Sequence, residues 1–202
     1  MTRLPRVFLI ASVLLVAAPR AARADFFAVP FGGLKFGGST SIVDLELAAG
    51  KKKLVLGIGA LKIDDRVIGF EAEFGNIAGY FNNEAEAADD PLVMPGSYVN
   101  DLTGSVVLSL PPGATGGGLR PYVVVGAGLI HAESQDISKV LQVRRTVPAF
   151  NLGVGAIGML TNSVGIRFDM RHLQSVTKDS PTGSVSRGIS YSRFTIGLLL
   201  RL

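Results

Sequence analysis

The sequence predicts an all-β protein, an eight-stranded antiparallel up-and-down barrel that spans an outer membrane. Three observations point there. Residues 190–202, SYSRFTIGLLLRL, put Phe194, Ile196, Leu198, Leu200 and Leu202 on one phase of a period-two count. Arg193, Thr195, Gly197 and Arg201 fall on the other phase, with Leu199 the apolar exception. That is a strand with one apolar and one polar face. Second, no run of 18 apolar residues follows residue 24, although the chain is 48% hydrophobic. A barrel accommodates both facts because it spreads its apolar residues over alternate positions. Third, the segments between candidate strands alternate between short and long.

The first 24 residues read as an export signal. Arg3 and Arg6 precede a twelve-residue apolar run, Val7 to Ala18, and Ala22-Arg23-Ala24 offers a small-x-small cleavage site. The run is too short to span a membrane as a helix. Residues 1–24 are thus expected to be removed, leaving a barrel domain over 25–202. The four arginines of that segment, with no acid beside them, account for the whole net charge of +4. The remainder holds 16 basic residues (20 less 4) against 16 acidic, so the basic isoelectric point gives no reason to expect a nucleic-acid partner. The chain has no cysteine, which excludes disulfides, thiolate metal sites and a lipidated N-terminal cysteine.

Eight segments alternate. Residues 31–38 place Leu34 and Phe36 opposite Gly33, Lys35 and Gly37; residues 53–62 place Leu54, Leu56, Ile58 and Ala60 opposite Val55, Gly57, Gly59 and Leu61. Residues 67–81 set Phe70, Ala72 and Phe74 against Glu71, Glu73 and Gly75, and residues 98–110 set Leu102, Val106 and Leu108 against Asp101, Thr103 and Ser105. Residues 122–132 and 149–160 alternate valine, leucine and phenylalanine with glycine. Residues 164–173 oppose Val164, Ile166, Phe168 and Met170 to Gly165, Arg167, Asp169 and Arg171. The C-terminal stretch is the eighth. Lengths near ten residues suit a tilted membrane strand.

Between these, 63–66 and 161–163 are short, whereas 39–52, 82–97, 133–148 and 174–189 are long and polar. The stretch 111–121, rich in proline and glycine, is the weakest member of the short set. Short periplasmic turns and long external loops are the habit of outer-membrane barrels. Pro111, Pro112, Pro121 and Pro148 are placed at strand ends, where a missing N–H breaks no ladder bond.

With the polar phase inside, the lumen collects Lys35, Arg167, Arg171 and Arg193 against Glu71, Glu73, Asp101 and Asp169, with Arg201 a further candidate. Eight strands enclose only enough room for side chains, and unpaired buried charge is costly. The expectation is a salt-bridged, closed lumen in which the many glycines of that phase make space for long charged side chains. A narrow passive pore for small solutes is the alternative. The inverse arrangement, apolar inside, would be a soluble lipocalin-like carrier.

The stretch RPYVVVGAGLIHAE (120–133), the pair NLGVGAIGMLTNSVGIRFDMRHL (151–173) and the ending RFTIGLLLRL resemble the OmpA-like outer-membrane β-barrel superfamily of small porin-like and opacity-type surface proteins. The resemblance spans most of residues 28–202. It implies residence in the outer membrane, contact with its lipid and lipopolysaccharide, and reading of the C-terminal strand by the barrel-assembly machinery. Members usually end in Phe or Trp; this chain ends in Leu202. No peptidoglycan-binding domain is expected after the barrel.

Chemistry is sparse. His131 and His172 are the only imidazoles. Outer-membrane lipid A deacylases carry a His-x-Ser-Asn pattern, but Ser175 lies three residues beyond His172, which sends the two side chains to opposite faces of a strand. The acids Glu84, Glu86, Asp89 and Asp90 lack the turn glycine of a calcium loop. Lys139, Arg144 and Arg145 are candidates for lipopolysaccharide phosphates. Gly116–Gly118 has no lysine and helix after it, so it reads as a turn. The expectation is a non-catalytic surface protein with no cofactor or metal, whose loops 39–52, 82–97, 133–148 and 174–189 meet an external ligand.

Overall fold

The computed structural model describes residues 25–39, 52–63, 67–80, 97–111, 115, 118–134, 143–176 and 188–202. The strands are β1 (Asp25–Ser39), β2 (Lys53–Ile63), β3 (Ile68–Ala78), β4 (Tyr98–Ser109), β5 (Leu119–Ser134), β6 (Val143–Met159), β7 (Val164–Ser175) and β8 (Ser190–Arg201). Each pairs antiparallel with its neighbours in sequence, and β1 pairs with β8 (for example Phe31↔Gly197) to close the barrel. Closure leaves no strand edge.

The alternation sets the two faces. On β8, Phe194, Ile196, Leu198 and Leu200 are 42%, 49%, 48% and 39% exposed, while Arg193, Thr195 and Leu199 are buried. Leu54, Leu56 and Ile58 of β2, Phe70 and Phe74 of β3, and Leu152 and Val154 of β6 extend the same outward apolar band. In water this surface would be far beyond the patch size a soluble monomer carries; hydrocarbon is its matching solvent. Polar pairs mark the upper border of the band. Asn76 Nδ2 donates to Asn100 Oδ1 (2.6 Å), His131 Nδ1 lies 2.7 Å from Thr146 Oγ1, and His172 Nδ1 lies 3.0 Å from Ser192 Oγ. At the other end Arg201 Nη2 donates to Asp25 Oδ2 (2.8 Å).

Three expectations about boundaries need correction. β1 starts at Asp25, six residues before the expected Phe31, and Pro30 sits inside it. The β1–β8 register passes from Ala28↔Leu200 to Phe31↔Gly197, so the ladder is interrupted where proline has no N–H to give. β5 and β6 run on to Ser134 and from Val143, so the connection is 135–142, no longer than the β4–β5 connection 110–118. Arg144, Arg145 and Pro148 therefore belong to β6, and Pro121 to β5. Both prolines are tolerated for one reason. The Pro148 carbonyl accepts from Val176 N (2.8 Å) and that of Pro121 from Leu110 N (3.1 Å), each just past the end of the neighbouring strand. The missing N–H points the same way as the carbonyl, to where the partner has run out.

The β6–β7 turn is short, as expected: Leu160 N and Thr161 N donate to the Val164 carbonyl, and Thr161 Oγ1 accepts from Ser163 N and Val164 N. The expected export segment 1–24, the expected turn at Asp64-Asp65, the acidic stretch Glu84–Asp90 and Lys139 lie outside the described residues, as do most of the expected long loops.

Candidate functional site: the barrel lumen

Read along the inward phase, nearly every strand repeats one pattern: an apolar residue, then small or charged ones, then an apolar residue. β4 shows it as Val99, Asp101, Thr103, Ser105, Val107, and β7 adds Leu173, Arg171, Asp169 and Arg167. Stacking eight such strands makes three layers. Towards the long connections lies an apolar layer that includes Phe31, Val55, Ile77, Tyr80, Ile130 and Tyr191. Towards the short turns lies a second, with Phe27, Leu61, Ile63, Val107, Ile157 and Leu199. Charged side chains fill the middle.

The eight expected lumen residues, Lys35, Glu71, Glu73, Asp101, Arg167, Asp169, Arg171 and Arg193, are each no more than 5% exposed. Seven of them form one connected belt. Glu71 on β3 takes Arg167 through both carboxylate oxygens and Arg171 Nη2 at 2.7 Å. Asp169 accepts from Arg167 Nη2 (2.8 Å) and Arg171 Nε (2.7 Å). Glu73 pairs with Arg171 Nη1 and, at 3.1 Å, with Arg193 Nη2. Arg193 Nη1 reaches Asp101 at 3.1 Å. β3 and β7 are four strands apart in an eight-strand barrel, so the pairs that Glu71 and Glu73 make with Arg167 and Arg171 cross the full lumen, whereas Asp169 ties the two arginines together along β7.

Lys35 on β1 is the register partner of Arg193 on β8. Its Nζ lies 4.3 Å from the centroid of the Tyr80 ring, in the outer apolar layer. Tyr80 meets Tyr191 edge-on at 5.9 Å, and Tyr191 donates its hydroxyl to Asp101 Oδ2 at 2.8 Å. On the far wall Tyr122 donates to Asp169 Oδ2 and accepts from Arg167 Nε at 2.7 Å. Buried charge is costly unless it is paired and hydrogen-bonded; the two tyrosines add hydrogen bonds at Asp169, Arg167 and Asp101, while Glu73 Oε2, Arg171 Nη1 and Arg193 Nη2 meet their partners as ion pairs only. The sequence reading missed them. Tyr122 and Tyr191 share the inward phase of their strands, which was the available signal. Arg201, the further lumen candidate, is at the rim with Asp25 instead.

Glycine makes the belt fit. A Cβ on Gly153 would lie 2.6 Å from Arg171 Cγ, and one on Gly75 would lie 2.6 Å from Asp101 Oδ2 and 2.7 Å from Arg193 Nη1. The long side chains lie over backbone where another residue would put a methyl group.

Outside the lumen, His172 faces outward with Ser192, while Ser175 is buried on the inward face; the two do not meet. His131 lies 3.7 Å from Glu133, which accepts from the Tyr98 hydroxyl (2.7 Å) and has Arg144 Nε at 3.8 Å.

Solved structures share this architecture at low sequence identity. Neisserial surface protein A aligns over 88% of this chain and 97% of its own at 12% identity, with a TM-score of 0.63. Ail, the attachment invasion locus protein of Yersinia pestis, solved with the heparin analogue sucrose octasulfate, aligns over 90% of this chain and 100% of its own at 11% identity and a TM-score of 0.54. A major outer membrane protein of Thermus thermophilus aligns over 90% and 100% at 14% identity and a TM-score of 0.53. Among curated protein sequences none matches. The sequence profile of the outer membrane protein beta-barrel domain matches residues 8–201, nearly the whole chain. With that match, a closed eight-strand barrel and an unbroken apolar outer wall, the chain belongs to the outer-membrane β-barrel family and resides in the cell outer membrane.

Proposed function

We propose that this protein is a non-catalytic outer-membrane barrel with a closed lumen, serving as a rigid platform for external contacts. The observation that supports this most is the sealed layering of the lumen. A permeating ion would have to cross two apolar layers and displace carboxylate–guanidinium pairs between them, each a costly step. In this reading the belt locks opposite walls together, and the connections 40–52, 79–97, 135–142 and 176–189 supply the surface that meets a ligand. Membrane lipid and lipopolysaccharide touch the outward band and its rim, where Arg144 and Arg145 are exposed cations, and the assembly machinery reads β8. Residues 1–24 are removed on export, so N-terminal mass analysis of the outer-membrane form should find Asp25 first.

The test is conductance in planar bilayers. The wild-type barrel, shown to be folded by its heat-modifiable gel mobility, should give no steady current. A stable ohmic conductance from the wild type, altered by Glu71→Gln or Arg167→Gln, would overturn the closed-lumen reading and establish a small passive pore.

A further inference from the structure

The outward wall is not of even height. In register, one row runs Leu108, Val123, Val154, Met170 and Phe194, and a second runs Pro121, Ala156 and Phe168. On β5 and β6 these rows present short side chains: Pro121, Val123, Val154 and Ala156. Leu108 and Leu110 stand on one side, Phe168 and Met170 on the other. A low floor between two taller walls makes a trough of about 740 Å³. Two further grooves described on the wall measure about 300 and 320 Å³. The trough reaches Val67, Leu110 and Pro121, so it lies in the half of the barrel nearer the short turns, the periplasmic half.

We propose that this trough seats one acyl chain of a phospholipid from the inner leaflet and holds it more firmly than the surrounding lipid. It is continuous with the lipid-covered wall, it opens onto hydrocarbon, and its floor and sides are almost wholly apolar. Its volume falls in the range of small-molecule sites, about 300–1,000 Å³. Moving a chain from bilayer to trough gains nothing from the hydrophobic effect, since both surroundings are oily. The gain is in dispersion contact: a chain lying along the trough touches its floor and also Leu108 or Phe168 at its sides, which a flat stretch of wall does not offer. The hold is therefore modest, about threefold over a flat stretch of wall.

Native mass spectrometry of the full-length barrel, extracted in mild detergent and supplied with a defined two-chain phospholipid, tests this. The wild type should retain more phospholipid per barrel than a variant whose trough is filled. Ala156→Phe fills the floor and should cut retention about threefold or more, and Val154→Leu, a gentler filling, should cut it less. Ala127→Phe, outward on β5 but outside the trough, should leave retention unchanged. Heat-modifiable mobility shows that each variant is folded. Equal retention by wild type and both filled variants would overturn the proposal. So would retention of lipid A in place of phospholipid, or a dimer lost on Ala156→Phe, which would put a second copy of the chain in the trough.

Discussion

The strands of this barrel are of two kinds inside. β3, β4, β7 and β8 bring Glu71, Glu73, Asp101, Arg167, Asp169, Arg171 and Arg193 to the belt, whereas β2, β5 and β6 bring Gly57, Gly59, Gly126, Gly128, Gly153 and Gly155 at the same level. The difference shows how a small lumen can hold seven charged side chains. Half the wall supplies the long side chains and half supplies the space they occupy. Neither half packs without the other.

Breaking the charged half should have the largest effect. Arg171→Leu takes one of the two guanidinium partners from each of Glu71, Glu73 and Asp169, leaving Arg167 and Arg193 to hold three acids, and removal of one partner from a buried ionic cluster costs about 3–5 kcal/mol. Urea unfolding in detergent or lipid vesicles should show that loss. A variant that unfolds at the wild-type urea concentration would mean the belt is hydrated and open.

Breaking the glycine half comes next. Gly153→Val would force Arg171 away from β6, an overpacking cost of about 1–3 kcal/mol, read in the same unfolding experiment. Combining it with Arg171→Ala, which removes the Cγ that the new side chain would meet, should cost less than the two single losses added, the part of the clash made by the Met170 carbonyl remaining. Strict additivity would show that the two halves do not depend on each other.

Tyr122→Phe is smaller. It removes the hydroxyl between Asp169 and Arg167 while keeping the ring, a change of about 1–3 kcal/mol for hydrogen bonds to charged groups. The smallest expected effect is His172→Ala on the outer wall. It should leave the lipid A mass profile of overexpressing cells unchanged and shift stability by under about 1 kcal/mol. An altered lipid A mass that depends on His172 would make this an enzyme.

Much of this could be read in order along the chain. Phe194 to Leu200 against Arg193 to Leu199 assigned two faces to β8 because side chains alternate strictly on a strand, and the same count brought all eight charged candidates to one phase. The ends of the strands were less legible. β6 continues through Arg144, Arg145 and Pro148 although their polarity reads as loop, because the extended β5 beside it supplies a partner above the apolar band.

The sequence by itself determined which residues face lipid and which face inward, since a period of two is a local property of extended backbone. Only the tertiary structure decided that Glu71 meets Arg167 and Arg171, that Tyr122 and Tyr191 complete the two ends of the belt, and that apolar layers lie above and below it. The Glu71 and Tyr191 contacts join strands four apart and the Tyr122 contacts strands two apart, and their heights depend on the stagger with which β1 and β8 close the ring. No alternation within a single strand carries that information.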